Sequence, residues 1–463
     1  MSEEWQETNF KTQIEDGILE IGDGYRAQNS ELGGKGPIFL RAGHVTNTHI
    51  DFDGVERFHD HLSRKVHSKM SKVGDTIITT KGNSTGRTSF VTDTTPLFIY
   101  SPHLSYWRTR KPDRLHNGFL RFWSQSEEFG SQLSAMKSST DMAPYLSLTD
   151  QRRLQISLPP IAEQKRIAHI LGTLDDKIEL NRRMNATLEA MARALLQSWF
   201  VDFDPVRRNA ARLQNQPSPQ PSPNGRGRSA AEGEGAAGFD SLFPDSFEDS
   251  ELGEIPKGWI PTTLGDEADF STGFAFKSKS FAADSDVRLA RGDNVKEGFF
   301  HWDSKARYWP EITSDLERYR LQVGDVLMGM DGSKVGKNWV RVRRCDLPCL
   351  LVQRVACLRE KNSIGQHYLW ILISDPRFRN YVDAVKTGTS IPHISGGQIK
   401  AYDFVSPPTG DNRVFKCCEQ LVGPLGEQID ANIEQSQTLS ALRDSLLPRL
   451  LSGEIVAPSE EKF

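Results

Sequence analysis

Two stretches of the chain carry a helical pattern of apolar positions. From Glu163 to Phe200 there is one glycine and no proline. Apolar or small residues recur at Ile167, Leu171, Leu174 and Ile178, then at Leu188, Ala192, Leu195 and Trp199. Steps of three and four place them on one face, as in a coiled-coil seam. Asn181 and Asn185 stand where that seam should be apolar. At 1.5 Å per residue the helix is expected to reach on the order of 55 Å. A second stretch, from about Arg413 to Leu447, reads Leu421, Leu425, Ile429, Asn432, Ser436, Leu439, Arg443 and Leu446, with Pro448 disturbing its end. Each helix has a half-polar seam and needs a partner, and the nearest is the other helix. Asn181 and Asn432 lie near the helix midpoints and are candidates to meet at an antiparallel crossing.

The second stretch repeats the first. Leu174, Ile178, Asn181, Leu188 and Leu196 align with Leu425, Ile429, Asn432, Leu439 and Leu447 at a constant offset of 251. The blocks before them repeat as well. Lys72-Val73-Gly74-Asp75 leads into Lys81-Gly82-Asn83-Ser84-Thr85-Gly86-Arg87, as Gln322-Val323-Gly324-Asp325 leads into Asp331-Gly332-Ser333-Lys334-Val335-Gly336-Lys337. Asp141 to Ser147 matches Thr389 to Ser395, and Ser157-Leu158-Pro159-Pro160 matches Val405-Ser406-Pro407-Pro408. Short alternating or β-rich runs with Gly, Asn and Asp turns fill both blocks, so each is expected to be an α+β domain. The expected order is domain 1–157, helix 158–208, flexible Pro/Ser/Gly-rich linker 209–255, domain 256–408, helix 409–455 and tail 456–463.

Composition narrows the class. At 463 residues, 37% hydrophobic and 25% charged, the chain is long enough for two or three cores and is expected to be soluble. The acidic start Met1-Ser2-Glu3-Glu4-Trp5 lacks the features of a signal peptide, and five cysteines suit a reducing compartment, so a cytoplasmic location is expected. The net charge of −4 hides a second domain that carries +4 between Pro256 and Pro408. Nucleic-acid contact depends on such local excess rather than on the average.

Catalytic and metal-binding patterns are absent from the sequence. The glycine loops miss a P-loop, because Gly82–Gly86 and Gly332–Gly336 each enclose three residues where four are needed. No Asn-Pro-Pro-aromatic tetrapeptide, HExxH, GxSxG or CxxC occurs. Cys345 and Cys349 have no second pair at suitable spacing, and His44, His59, His61 and His67 lack ligand spacing. Glu163-Gln164-Lys165 and Asp175-Asp176-Lys177 are read as solvated helix charges. Neither a catalytic residue, a bound cofactor nor a metal is expected in this chain.

The run Leu158-Pro-Pro-Ile-Ala-Glu-Gln-Lys-Arg-Ile-Ala-His-Ile-Leu-Gly-Thr-Leu-Asp-Asp-Lys-Ile-Glu-Leu-Asn181 resembles the central conserved region of type I restriction-modification specificity subunits. So do its continuation to Ser198-Trp199-Phe200-Val201-Asp202-Phe203-Asp204-Pro205 and the closing Leu442 to Ile455. With the duplicated blocks, the resemblance covers nearly the whole chain. It implies two target-recognition domains separated by a long antiparallel helix pair, each domain reading one half of a bipartite, asymmetric target in double-stranded DNA. It also implies two modification subunits that bring S-adenosylmethionine, and two motor-nuclease restriction subunits that use ATP and Mg²⁺. The specificity subunit itself would be non-catalytic. A stand-alone DNA-binding regulator or scaffold is the alternative.

Candidate DNA contacts follow from repeat-equivalent loops with suitable donors. They are Arg41, His44, Lys81, Asn83, Ser84 and Arg87 in the first domain, and Arg291, Asn294, Ser333, Lys334, Lys337, His393 and Gln398 in the second. His393 stands where the first repeat has Tyr145. The helix-pair seam is assigned to Leu174, Ile178, Asn181, Leu188, Leu425, Ile429, Asn432 and Leu439.

Overall fold

The computed structural model describes residues 5–46, 49–138, 144–214, 239–302, 306–361, 364–388 and 390–456. Asp141, Met142, Ala143 and Thr389 of the repeat, residues 215–238 of the expected linker and residues 457–463 of the tail lie outside them. The chain divides into two units, Met1–Leu180 with Gln435–Phe463, and Asn181–Glu434. Each is α+β.

In the first unit, strand Leu19–Asp23 pairs with Leu104–Thr109, which pairs with Thr76–Thr79, which pairs with Thr88–Phe90, all antiparallel. A second sheet sets Ile38–Leu40 between antiparallel Glu56–Arg57 and parallel Phe98–Tyr100. Gln6–Asn9 closes on Gln155–Leu158. The second unit repeats all three arrangements. Its four-stranded sheet runs Ala268–Thr272, Val355–Glu360, Val326–Gly329, Trp339–Arg341. Its three-stranded sheet sets Val287–Ala290 between Tyr308–Trp309 and parallel Cys349–Leu351. Ile260–Thr263 closes on Asp403–Ser406. The 251-residue repeat is therefore a repeat of strand order and register.

The two long helices are Ile161–Phe200 and Arg413–Leu451. The first starts directly after Pro159-Pro160, whose carbonyl at Pro160 accepts from the Glu163 and Gln164 amides. In the first unit Ile167 and Leu171 are buried with Leu447, Leu450 and Leu451, alongside the domain's Phe10, Trp107 and Trp123. In the second unit Phe200 stacks on Phe415 with centroids 5.4 Å apart and meets Tyr368 edge-on at 4.7 Å. Aromatic pairs of this kind add about 0.5–1.5 kcal/mol each beyond the area they bury.

The seam turns polar in the second unit. Asn181 donates to the Asn432 carbonyl at 3.2 Å, and Asn432 donates to the Asn185 side chain at 2.8 Å. Asn185 in turn donates to the Ile429 carbonyl at 3.4 Å. Asn181 and Ile429 are nearly fully buried, whereas Leu188 and Leu425 are half-buried. Buried amides that hydrogen-bond across a seam fix register at some cost in stability. In the first unit Leu174, Ile178 and Leu439 are half-buried.

The structure departs from the sequence reading in three places. The C-terminal helix runs through Pro448 to Leu451, and Ser452 still donates to the Pro448 carbonyl at 3.0 Å. Pro448 is exposed while Leu450 and Leu451 are buried, so packing of the last turn outweighs the missing amide. The linker expected over 209–255 carries structure at both ends, with helix Asp204–Gln214 and hairpin Phe247–Ser250/Gly253–Pro256. Arg208 and Arg212 pair with buried Asp240, and Asn209 donates to the Asp240 and Phe243 carbonyls at 2.7 and 3.1 Å, which ties the two ends together. Finally, Glu163, Gln164 and Asp175 are not solvated. Gln164 accepts from the His116 amide and donates to the Pro159 carbonyl, both at 2.9 Å. Glu163 is buried beside Arg166, and Asp175 is gripped by Arg121 and by Arg443, the latter at 2.8 Å.

Among the described residues no helix is long and apolar enough to cross a membrane, and no group of three or more His, Cys, Asp or Glu is placed to hold a metal ion.

Candidate nucleic-acid interface

Each unit presents the same pair of loops. In the first, the Gly82 amide donates to the Pro144 carbonyl at 3.0 Å and the Leu146 amide to the Thr80 carbonyl at 2.9 Å. Lys81 and Tyr145 thereby form an isolated bridge. In the second, Gly332 donates to Pro392 and Ile394 to Met330, both at 2.9 Å, and Asp331 bridges His393. Gly82 and Gly332 sit at φ +80° and +99°, where a side chain would strain the turn. The glycines repeat because the turn repeats; the residues between them are free to differ.

A buried ion pair holds the strand that feeds each loop. Asp75 accepts from the Lys72 amide at 2.8 Å and from Arg108 at 2.6 and 2.7 Å. Asp325 accepts from the Gln322 amide at 2.8 Å and from Arg359 at 2.5 and 2.8 Å. Bidentate guanidinium–carboxylate geometry of this kind is directional as well as strong. In the first unit the Tyr100 hydroxyl adds a third donor to Asp75 at 2.7 Å. Burial and the adjacent Asp75 carboxylate push that phenol far above the usual range, so it remains a donor. The repeated Gly-Asp dipeptide was the visible signal for these carboxylates; their arginine partners, 33 and 34 residues further on, had none.

The loops expose Lys81, Asn83 and Arg87 in the first unit, and Ser333, Lys334 and His393 in the second. Ser84 and Lys337 are half-buried, and the Ser84 carbonyl accepts from the Arg87 amide at 3.0 Å. His393 is paired with the Thr387 hydroxyl at 3.0 Å. Arg41 and His44 lie on a different segment, after strand Ile38–Leu40. Arg41 is exposed but pairs with Glu56 and lies over the Phe39 ring at 5.1 Å, while His44 is half-buried. Arg291 pairs with Asp293 at 3.2 Å.

Two assigned contacts are corrected. Asn294 is 0% exposed, and its amide donates to the His301 carbonyl at 3.1 Å, closing the turn it belongs to. Gln398 caps its helix: its side-chain oxygen accepts from the Ser395 amide at 2.9 Å, and its amide donates to the Val385 carbonyl. Both amides are engaged with backbone. The sequence reading also missed Arg354 and His103. Both are exposed, and their carbonyls accept from Met330 (3.0 Å) and Thr80 (2.9 Å), which places them beside the loops at equivalent positions. Arg354 holds φ +67°, rare for a non-glycine residue, and reaches Asp331 at 2.9 Å. The same offset of 251 that aligns the helices joins them.

The units differ where domain meets helix. In the first, Gly118 and Ala168 face one another beside an open cavity of about 520 Å³ that His116, Lys165, His169 and Asp176 also line. In the second, His367 and Glu419 take those two places and pair at 2.5 Å.

Comparisons with known proteins agree on one class. Residues 16–190 match the family model described as the type I restriction modification DNA specificity domain. The specificity subunit of the type I restriction enzyme EcoAI from Escherichia coli is 30% identical over 173 residues, which is 36% of this chain and 29% of that protein. The HindI specificity subunit of Haemophilus influenzae is 23% identical over 355 residues, 72% of this chain and 75% of that one. The crystal structure of a type I restriction-modification S subunit from M. genitalium shares the fold, with a TM-score of 0.53 at 13% identity, covering 96% of both chains. The first domain is a type I DNA specificity domain. Over most of its length the chain is thus similar to specificity subunits of type I restriction-modification systems, and it shares the fold of one.

Proposed function

We propose that this chain chooses the DNA target of a type I restriction-modification complex, each domain reading one half of a bipartite, asymmetric sequence. The observation that carries this is one backbone device built twice with different exposed side chains, Lys81-Asn83-Arg87 in one unit and Ser333-Lys334-His393 in the other. Arginine and lysine suit guanine edges and phosphates, and asparagine suits adenine. Different donors on like scaffolds read unlike half-sites. The long helices serve as the spacer and as docking surface for two modification subunits, and two restriction subunits complete the assembly. S-adenosylmethionine, ATP and Mg²⁺ belong to those partners, and this chain contributes no catalytic group.

The test is co-expression with the cognate modification subunit. A stable complex of one copy of this chain with two modification subunits, binding one bipartite duplex selectively, is expected. Equally tight, sequence-selective binding by the chain alone, with no complex formed, would support a stand-alone regulator instead.

A further inference from the structure

Among the contacts between each domain and its long helices is one ring-stacked arginine, and the two units supply that arginine from opposite elements. In the first unit it is Arg121, on helix Asn117–Trp123. Its guanidinium lies 4.9 Å from the Phe90 ring at the end of strand Thr88–Phe90, and it pairs with Asp175 of the first long helix. Asp175 also holds Arg443 of the second long helix at 2.8 Å, so one carboxylate gathers three elements. In the second unit it is Arg341, at the end of strand Trp339–Arg341. Its guanidinium lies 4.8 Å from the Trp370 ring on helix Gln366–Ser374, and it pairs with Asp430 of the second long helix at 2.7 Å. It also donates to the Gly426 carbonyl at 3.0 Å, and Arg343 reaches the same Asp430 at 3.3 Å.

The positions correspond. Phe90 pairs with Thr76 just after Asp75, as Arg341 pairs with Val326 just after Asp325. Asn117 stands against Gly74, as Gln366 stands against Gly324, and Arg121 and Trp370 each follow four residues on. Cation and ring have thus exchanged places while the stack, and its anchoring to a helix carboxylate, are kept. Arg121 and Arg341 are mostly buried, and so are the carboxylates they hold. A stacked, partly desolvated guanidinium bound to a carboxylate is directional in a way that an apolar contact is not. A contact needed only for cohesion has no reason to keep the ion pair through such an exchange.

We infer that Arg121 and Arg341 are positioning residues that lock each domain at a fixed angle on its own helices. Resting on the proposed function, this angle sets the spacing between half-sites that the subunit accepts.

The test uses the full chain with Cys345→Ser, spin-labelled at Asp53→Cys and Ala441→Cys for the first unit, or at Glu311→Cys and Glu427→Cys for the second. Arg121→Met and Arg341→Met keep the apolar contact and remove the ion pair. Each is expected to at least double the width of the label–label distance distribution in its own unit only. The exchange Phe90→Arg with Arg121→Trp, which copies the second unit's arrangement into the first, is expected to narrow it again. Widths equal to wild type in Arg121→Met and in a second variant, Asp175→Asn, would overturn the lock. In complexes with modification subunits, preference for the native gap over one a base pair longer is expected to fall about tenfold. Unchanged preference with a broadened distribution would overturn the role in spacing. Absence of any bipartite target for the wild type would instead fail the proposed function, and the distance measurement would still decide the lock.

Discussion

The two domains share strand order, loop scaffold and ion pair, yet differ in how deeply each device is set. Asp75 is fully buried, takes three donors including Tyr100, and its Arg108 side chain is 10% exposed. Asp325 lacks the tyrosine, because Leu351 fills the matching position of the parallel strand pair, and Arg359 is 37% exposed. At the helix boundary the order reverses. The first unit leaves a cavity beside Gly118 and Ala168, and the second closes that place with His367 and Glu419. The loop geometry is held in common, and what supports it differs between the units. Sites tuned to different targets are expected to diverge in this way.

The largest effect tests the ion pairs. Asp75→Ala strands Arg108 and Tyr100 in the interior and is expected to destabilise the first unit by about 3–5 kcal/mol, the cost of breaking a buried pair. Asp325→Ala is expected to cost about half as much, because solvent screens Arg359. Denaturant unfolding followed by hydrogen exchange in each unit separates the two, and equal losses would remove the asymmetry.

Next comes the seam. Asn432→Ala removes donors and acceptors from Asn185 and Gln428 and is expected to cost about 1–3 kcal/mol. Asn181→Leu with Asn432→Leu is expected to keep or raise thermal stability while loosening register. A double variant less stable than Asn432→Ala would show that the amides stabilise rather than specify.

Smaller again are the loops. Lys81→Ala with Arg87→Ala is expected to weaken target binding and reduce the salt slope by up to about two. Lys334→Ala with Lys337→Ala is expected to do less, since Arg354 stays beside that loop. Unchanged affinity at moderate salt for the first pair would remove it from the interface.

The smallest effect is a pH slope confined to the second unit. Burial raises the Glu189 carboxyl above its usual range, against the pull of Arg193, Arg343 and Arg341. A raised carboxyl favours the folded state when protonated. Its contribution is therefore full below the usual carboxylate range and lost as pH rises through the raised value. Melting from about pH 4 to about pH 7 is expected to show a shallower loss in Glu189→Gln than in wild type.

Much of this molecule was legible in its sequence because it is built from repeats and periods. The constant offset and the paired glycine turns follow from local geometry that needs no partner, and the meeting of Asn181 with Asn432 follows from their equivalent places in the two periods. What was not legible depended on partners far along the chain. Asp175 resembles any solvated helix carboxylate until Arg121 and Arg443 are folded against it. Asn294 and Gln398 have the chemistry of DNA readers, but their turns claim it for backbone carbonyls. Arg354 and His103 sit outside the glycine loops and are brought there by pairing with Met330 and Thr80.

On the proposed function, the two loop pairs read different half-sites. The direct measurement maps methylated adenines in DNA from a host that carries this chain with its modification partners, before and after Lys81 to Arg87 and Tyr145 are replaced by the corresponding residues of a relative with another target. One half of the methylated sequence is expected to change while the other half and the gap stay fixed. Methylation that changes in both halves together, or in neither, would contradict separate reading by the two loop pairs.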